Sequence, residues 1–153
     1  MAARRRQTPK RQSGAQSRGS RVLLDTHVFL WAASDPERLS GAARDAIEDP
    51  ANDVFISSAV IWEIVIKYAL GKLQLPAPPA SYLPPRLRDL GFRELPIKHE
   101  HALTLTTLPM HHRDSFDRML IAQARFEGMT LITADPHVAL YDLKFLTAAT
   151  VAA

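Results

Sequence analysis

The stretch RVLLDTHVFLWAA, residues 21–33, decides the fold that this sequence predicts. It opens with a short apolar run that ends in Asp25, and an uninterrupted apolar run is typical of a strand buried in a parallel sheet. A helical segment, THVFLWAA, begins directly after that aspartate. A strand that leads at once into a helix is the opening of a β–α–β unit, so this stretch predicts a parallel α/β protein.

The same alternation of strand and helix continues along the chain. The later runs with strand character are NDVFIS (52–57), FRELPI (92–97), MTLIT (129–133) and KFLTA (144–148). The most regular helical segments are SGAARDAIED (40–49), a long helix from Ser58 to about Leu70, and FDRMLIAQARFEG (116–128). The stretch PAPPASYLPP (76–85) predicts a proline-rich connection into a short helix, RLRDLG. This alternation predicts a three-layer α/β/α sandwich around a central, mainly parallel sheet.

The positive charge of the chain is concentrated at its N-terminus. Residues 1–20 hold six of the 19 Lys and Arg and none of the 16 Asp and Glu, so residues 21–153 carry a formal charge of about −3. A segment so poor in apolar residues cannot offset its ordering entropy. We expect a disordered basic tail over residues 1–20 and one folded domain over residues 21–153. The tail is either an arm that contacts nucleic acid or an extension without function.

Two classes of protein are excluded by composition. The chain contains no Cys, which rules out disulfides and thiolate metal sites and favours an intracellular protein. It also contains no apolar run of the ~18 residues that a membrane span needs. We therefore expect a cytoplasmic protein with no membrane partner.

Acidic residues recur where the predicted strands end. Asp25 ends the first strand and Asp135 follows the LIT run of a later one, whereas Glu63 lies in the helix after the second strand. Asp114 and Asp117 open the helix that precedes MTLIT. Ligands of open α/β sheets bind beyond the carboxyl ends of the strands, so these side chains are candidates for a functional site.

Each of these carboxylates also has a structural explanation. Asp25 and Asp135 are suited to capping a helix or a turn, and the helix dipole favours Asp117 in a first helical turn. Glu63 interrupts an apolar helix, where its structural partner is Lys67, four residues later. Carboxylates that converge from separate elements would repel one another unless a hard divalent cation such as Mg²⁺ or Mn²⁺ lay between them.

Four sequence blocks resemble the signature blocks of the PIN-domain ribonucleases, and most closely those of VapC-type toxins. The blocks are LLDTHVFLW (23–31), SSAVIWEIVIKYALGKL (57–73), RDSFDRMLIAQA (113–124) and LITADP (131–136). Their order and spacing fit over residues 21–148, which is the whole chain apart from its two ends. Residues 21–153 are thus interpreted as a PIN-like nuclease domain.

The resemblance implies a role for particular residues. The acidic quartet of the family falls on Asp25, Glu63, Asp117 and Asp135. Asp25 and Asp117 would be the principal metal ligands, and the other two would complete the pocket. Thr133 matches a small polar residue that orients metal-bound water, and Thr26 is expected to assist. Asp114 matches an additional acid of this subgroup.

The resemblance also implies an activity and partners. The expected activity is that of a Mg²⁺- or Mn²⁺-dependent endoribonuclease, in which metal-activated water hydrolyses RNA. The expected assembly is a homodimer that a small antitoxin protein inhibits by blocking the acidic pocket. Candidate contacts to the RNA backbone are Lys67, Lys72, Arg113 and Arg118, for which a solvated helix face is the alternative.

Rival interpretations remain open at this level. One is a PIN-type module that binds RNA without cleaving it. Another is an aspartyl phosphotransferase or phosphatase with Asp25 as nucleophile, although His27 stands where such enzymes of the haloacid dehalogenase type have a second Asp. The histidines of HEH (99–101) and HH (111–112) suggest a zinc site as a further hypothesis. Their spacing does not favour it. Trp31 and Trp62 are candidates for base stacking, but both lie on apolar segments, which favours core packing or a dimer interface.

Overall fold

The strand that opens the sequence lies at the centre of the sheet. In a computed structural model that describes residues 19–111 and 114–148, the strands are β1 (Arg21–Leu24), β2 (Asp53–Ser57), β3 (Arg93–Leu95), β4 (Thr130–Thr133) and β5 (Phe145–Thr147). All pairings are parallel, and the strand order is β3-β2-β1-β4-β5. Val22, Leu23 and Leu24 of β1 are all buried, as expected for a central strand covered on both faces.

Helices connect the strands and cover the sheet. The α-helices of the described ranges are α1 (Thr26–Ser34), α2 (Gly41–Glu48), α3 (Ser58–Ala69), α4 (Pro79–Leu90), α5 (His99–Thr104) and α6 (Ser115–Glu127). Short 3₁₀ helices lie at Pro36–Arg38, Leu105–Thr107 and Pro136–Leu140. A parallel sheet enclosed by connecting helices is the predicted three-layer α/β/α sandwich, so the predicted fold class is confirmed.

The strand order fixes where a ligand site is expected. The chain places β2 and β3 on one side of β1, and β4 and β5 on the other. The carboxyl ends of β1 and β4 therefore flank the point at which the winding of the sheet reverses. Open α/β sheets bind ligands in the crevice at such a point.

The proline-rich segment is more helical than predicted. The sequence indicates an irregular connection over residues 76–85, whereas α4 begins at Pro79 and contains Pro84 and Pro85. Pro79 occupies the first helical position, where a missing N–H has no consequence for helix hydrogen bonding. Burial of Leu83, which is 3% exposed, stabilises the helix across the two later prolines.

Some predictions lie outside the described residues. The basic tail falls almost entirely on residues 1–18, and the end of the predicted domain falls on residues 149–153. Arg113, with its neighbour His112, is likewise outside them. Within the described ranges, every helix is too short or too polar to cross a lipid bilayer.

Candidate active site

A cleft of about 560 Å³ opens beyond the carboxyl ends of β1 and β4. Most of the residues singled out in the sequence line it: Asp25, Thr26, Glu63, Lys67, Asp114, Asp117 and Asp135. Thr133, the last residue of β4, is buried behind the cleft and contacts Asp25. The structure therefore brings carboxylates from four separate segments of the chain to the crevice where the topology predicts a ligand site.

Asp25 is held in place by three hydrogen-bond donors. Its Oδ1 accepts the backbone N–H of Val28 at 2.9 Å and so caps the N-terminus of α1. Its Oδ2 accepts the hydroxyl of Thr133 at 2.6 Å and the backbone N–H of Ala134 at 3.1 Å. Burial raises the pKa of the Asp25 carboxyl, and the bonds from Thr133, Val28 and Ala134 only partly offset that increase. A positive charge beside this carboxylate would relieve its desolvation.

Thr133 joins two of the carboxylate segments. Its hydroxyl donates to Asp25 and accepts the backbone N–H of Asp135 at 3.0 Å. The turn after β4 is thereby fixed relative to the end of β1. This geometry makes Thr133 a positioning residue for Asp25, and its predicted contact with water stays a prediction.

Glu63 has a compensating cation within its own helix. The side chain is 4% exposed, and its Oε2 lies 3.0 Å from the Nζ of Lys67. The Thr26 hydroxyl donates to Oε1 at 2.7 Å. The structural explanation of Glu63, a pair with the residue four positions later, is thus present. Because both members of the pair line the cleft, the pair is also part of the candidate site.

The remaining carboxylates combine capping with a place in the cleft. Asp114 caps α6 by accepting the backbone N–H groups of Phe116 and Asp117, at 2.9 and 3.0 Å. Asp117 lies in the first turn of α6. The Oδ1 of Asp135 accepts the backbone N–H of His137 at 2.8 Å and lies 2.9 Å from the Nδ1 of the same residue. The structural and functional interpretations of these residues are therefore compatible.

The predicted basic contacts divide into two groups. Lys67 is the only Lys or Arg among the described residues that line the cleft. Arg118 instead donates to the carbonyl of Pro109 at 3.0 Å, and Lys72 is exposed beyond the end of α3. Neither Arg118 nor Lys72 is among the described residues that line the cleft, and their contact with RNA stays a prediction.

The histidines do not form a zinc site in the described part of the chain. His101 is fully buried, and its Nε2 lies 2.8 Å from the Oε1 of Glu127. The backbone N–H of Lys98 donates to Nδ1, so the ring proton lies on Nε2 and faces Glu127. Across residues 19–111 and 114–148, no group of three or more His, Asp or Glu side chains is close enough to ligate one ion directly.

Several residues of the cleft lining were not selected from the sequence as site residues. His27 and His137 both contribute to its lining, and Trp31, which was read as a packing residue, does so as well. A signal was available for His27 and Trp31, because both lie on α1 within two turns of Asp25. His137 follows the TADP block, where a turn residue was the natural interpretation.

The donors in the cleft fit a hard divalent cation that keeps part of its water. They are carboxylate oxygens, which Mg²⁺ and Mn²⁺ prefer, and the chain has no thiolate. Mg²⁺ commonly takes one or two carboxylates directly and reaches others through water. Carboxylates that line one cleft without closing into a tight cluster match that mode of binding.

Comparisons with known proteins agree with this architecture. The family model for the PIN domain matches residues 22–145. Ribonuclease VapC22 of Mycobacterium tuberculosis is 33% identical over 115 residues, which are 74% of this chain and 86% of that protein. Ribonuclease VapC16 of the same organism is 45% identical over 58 residues, which are 38% of this chain and 41% of that protein.

A solved structure shows the same fold. The structure of VapBC2 from Rickettsia felis, bound to a DNA fragment from its promoter, superposes with a TM-score of 0.65 at 18% identity. The match covers 84% of this chain and 98% of that chain. The family model includes all four carboxylate segments, and the alignment with VapC22 covers 74% of the chain. The chain therefore belongs to the PIN-domain family, in its VapC-type branch.

Proposed function

We propose that this protein is a Mg²⁺- or Mn²⁺-dependent endoribonuclease and the toxin of a toxin–antitoxin pair, acting on RNA in the cytoplasm. The observation that carries the proposal is the convergence of Asp25, Glu63, Asp117 and Asp135 on one cleft at the switch point of the sheet. The names of the relatives VapC22 and VapC16 support ribonuclease activity.

The cleft residues would have different roles in binding a cation. Asp25 and Asp117 would hold the ion, and Asp135 and Glu63 would complete its surroundings. When bound, a divalent ion activates water as a nucleophile and neutralises charge on a phosphodiester. The chain contributes rigidity: Asp25 is fixed by Val28, Thr133 and Ala134, so little reorganisation is needed when a cation arrives.

Lys67 is suited to contact the scissile phosphate. Its side chain is 39% exposed and lines the cleft, and Glu63 orients its ammonium group at 3.0 Å. An ammonium group donates well to a non-bridging phosphate oxygen. We therefore assign Lys67 to substrate positioning, with Asp114 as a supporting acid at the start of α6.

The rival functions receive less support. A phosphotransferase of the haloacid dehalogenase type would need a second Asp two residues after Asp25, and this chain has His27 there. A silent RNA-binding module would be expected to lose carboxylates, and this chain retains all four.

The proposed protein partners are a second copy of the chain and a small antitoxin. The outer face of α3 exposes Trp62 (59%) and Val65 (44%), a surface that an oligomer would cover. A groove of about 590 Å³ lies between α3, α4 and the edge strand β3. We propose that the antitoxin anchors apolar side chains in this groove and places an Arg or Lys near Asp25 and Asp117, and the VapBC2 complex supports such a partner.

The test of the proposed activity is cleavage of a labelled single-stranded RNA by the purified protein. We expect cleavage with Mg²⁺ or Mn²⁺ and none in EDTA. Asp117→Asn should reduce the rate at least ~100-fold, because several kcal/mol of charge stabilisation would be lost. Asp45→Asn, exposed on α2, is the matched control and should cleave at the wild-type rate.

Two results would contradict the proposal. Cleavage that continues in EDTA, or an unchanged rate for Asp117→Asn, would show that cleavage does not require the proposed metal site. RNA binding without cleavage under every metal condition would identify a silent binding module instead.

A further inference from the structure

Two aromatic rings on α1 form one side of the acidic cleft. His27 and Trp31 are four residues apart, so they lie on the same face of the helix. Their ring centroids are 6.2 Å apart with an interplanar angle of 52°, and both residues line the cleft. His27 is exposed, whereas Trp31 is half-buried and packs against the hydrophobic core.

The indole of Trp31 is also held from outside the cleft. The guanidinium carbon of Arg38 lies 4.9 Å from the Trp31 ring centroid, within the range of a cation–π contact. Arg38 belongs to the 3₁₀ helix that follows α1 and is not among the described residues that line the cleft. The ring is therefore fixed by the core and by Arg38 while part of its surface remains open to the cleft.

The charge of the cleft raises the question of how it holds RNA. Five carboxylates line it, and Lys67, already paired with Glu63, is the only Lys or Arg of the described lining. Carboxylates repel phosphates, so a source of affinity other than charge would strengthen RNA binding at this cleft. Stacking of a base on an aromatic ring provides one that does not depend on charge.

We propose that Trp31, with His27 beside it, is a stacking platform for one unpaired nucleobase next to the phosphate in the acidic cleft. This inference rests on the proposed ribonuclease function and adds a base-binding subsite to it. A base within a duplex has both faces covered by its neighbours, so the platform favours single-stranded RNA. Every base has a π-face, so the platform by itself tolerates any sequence.

Tryptophan fluorescence can test the platform, because Trp31 and Trp62 are the only two tryptophans of the chain. Trp62→Phe leaves Trp31 as the single reporter, and Trp31→Phe leaves Trp62, which lies on α3 and is 59% exposed. Both are combined with Asp117→Asn to prevent cleavage and titrated with an eight-nucleotide single-stranded RNA in Mg²⁺. Binding is followed independently by the anisotropy of a fluorophore on the RNA.

We expect RNA to quench the emission of Trp31 in parallel with the anisotropy and to leave Trp62 unchanged. In the same background, Trp31→Leu should weaken RNA binding roughly tenfold, whereas Trp31→Phe should retain most of it. Bound RNA without quenching of Trp31 overturns the platform and leaves the ribonuclease proposal intact. Absence of RNA binding in every variant counts against the proposed function itself, and the platform fails with it.

Discussion

Asp25 and Glu127 lie at opposite ends of the same parallel sheet, and their surroundings differ in kind. Asp25 follows the carboxyl end of β1 and is contacted by neutral donors: two backbone N–H groups and one hydroxyl. Glu127 ends α6 near the amino end of β1, where Arg21, Lys98 and His101 contact its carboxylate. The pKa of the Asp25 carboxyl is raised, mainly by burial, and the pKa of the Glu127 carboxyl is lowered.

The Glu127 end shows how this fold compensates a carboxylate that has a structural role. The hydrogen bond from His101 lowers the pKa of Glu127 most, burial opposes that effect, and the charges of Lys98 and Arg21 add to it. Lys98 lies 3.6 Å and Arg21 3.9 Å from the carboxylate, and Arg21 also donates to the backbone carbonyl of Glu127. These contacts connect α5, α6 and β1.

The difference in surroundings indicates a structural role for Glu127 and a functional role for Asp25. Glu127 has basic partners within the chain, so its ionised form stabilises the fold. Asp25 has none among its hydrogen-bond donors, so its ionised form is costly until a cation arrives from solution. A carboxylate that the fold orients but does not neutralise is the expected signature of a metal-binding site.

The largest expected effect is on RNA cleavage, which should depend on Asp25 and not on Glu127. Asp25→Asn should reduce kcat/KM for RNA at least ~100-fold, because it removes a proposed metal ligand. Glu127→Gln should keep kcat/KM within about twofold of wild type. Equal losses in both variants would mean that Asp25 acts through stability, and the contrast between the two ends would not hold.

A smaller effect is expected on stability at the Glu127 end. Glu127→Gln should lower the free energy of unfolding by about 1–2 kcal/mol at pH 7, because a charge-assisted hydrogen bond and two ion pairs are lost. Glu100→Gln, exposed on α5, is the matched control. Urea unfolding, fitted with one m-value for all variants, measures the change in the free energy of unfolding. Identical unfolding midpoints for the two variants would contradict a structural role for Glu127.

The two ends should also respond to pH in opposite directions. The pKa of Glu127 is lowered in the folded state, so its contribution is complete above its usual value of 4.5 and is lost as pH falls through the lowered value. The pKa of Asp25 is raised, so wild type loses stability relative to Asp25→Asn as pH rises from 3.8 through the raised value. Urea unfolding at several pH values in EDTA measures both trends. Parallel trends for the two variants would contradict the assignment.

The smallest expected effect concerns Lys67. Its side chain is 39% exposed, so solvent screening limits the pair with Glu63. Lys67→Met should cost about 1 kcal/mol of stability, because buried Glu63 loses its cation but keeps the hydrogen bond from Thr26. The same change frees an oxygen of Glu63 and should tighten Mn²⁺ binding while it weakens RNA binding. Thermal melts, Mn²⁺ titration and RNA anisotropy report these quantities separately. Weaker Mn²⁺ binding in this variant would contradict the placement of Glu63 beside the metal.

The sequence predicts the cleft end of the molecule better than the other end. Asp25 and Asp135 are marked locally, because each lies within two residues of the end of an apolar strand, and the pairing of Glu63 with Lys67 follows from helical spacing. Each of these signals lies within a few residues of the side chain that it marks. The α/β/α architecture is predictable for the same reason, since each strand and helix has its own local pattern.

The sequence gives no comparable signal for contacts between distant segments. His101 and Glu127 are brought together only by the packing of α5 on α6, and from the sequence alone HEH resembles a fragment of a zinc site. The helix through Pro84 and Pro85 likewise depends on the burial of Leu83. The hydrogen bonds of Asp25 refine one expectation: its change to Asn removes an acceptor for Ala134, so Asp117→Asn is the better test of charge repulsion.

We expect a divalent cation to neutralise Asp25 in the cleft, and calorimetric titration with Mn²⁺ tests this expectation most directly. Wild-type protein and the surface control Asp45→Asn should bind Mn²⁺ with the same affinity. Asp117→Asn should bind at least about tenfold more weakly, and without metal it should be as stable as wild type or more stable. Equal Mn²⁺ affinity in wild type and Asp117→Asn, or no binding by wild type at millimolar Mn²⁺, would contradict the account.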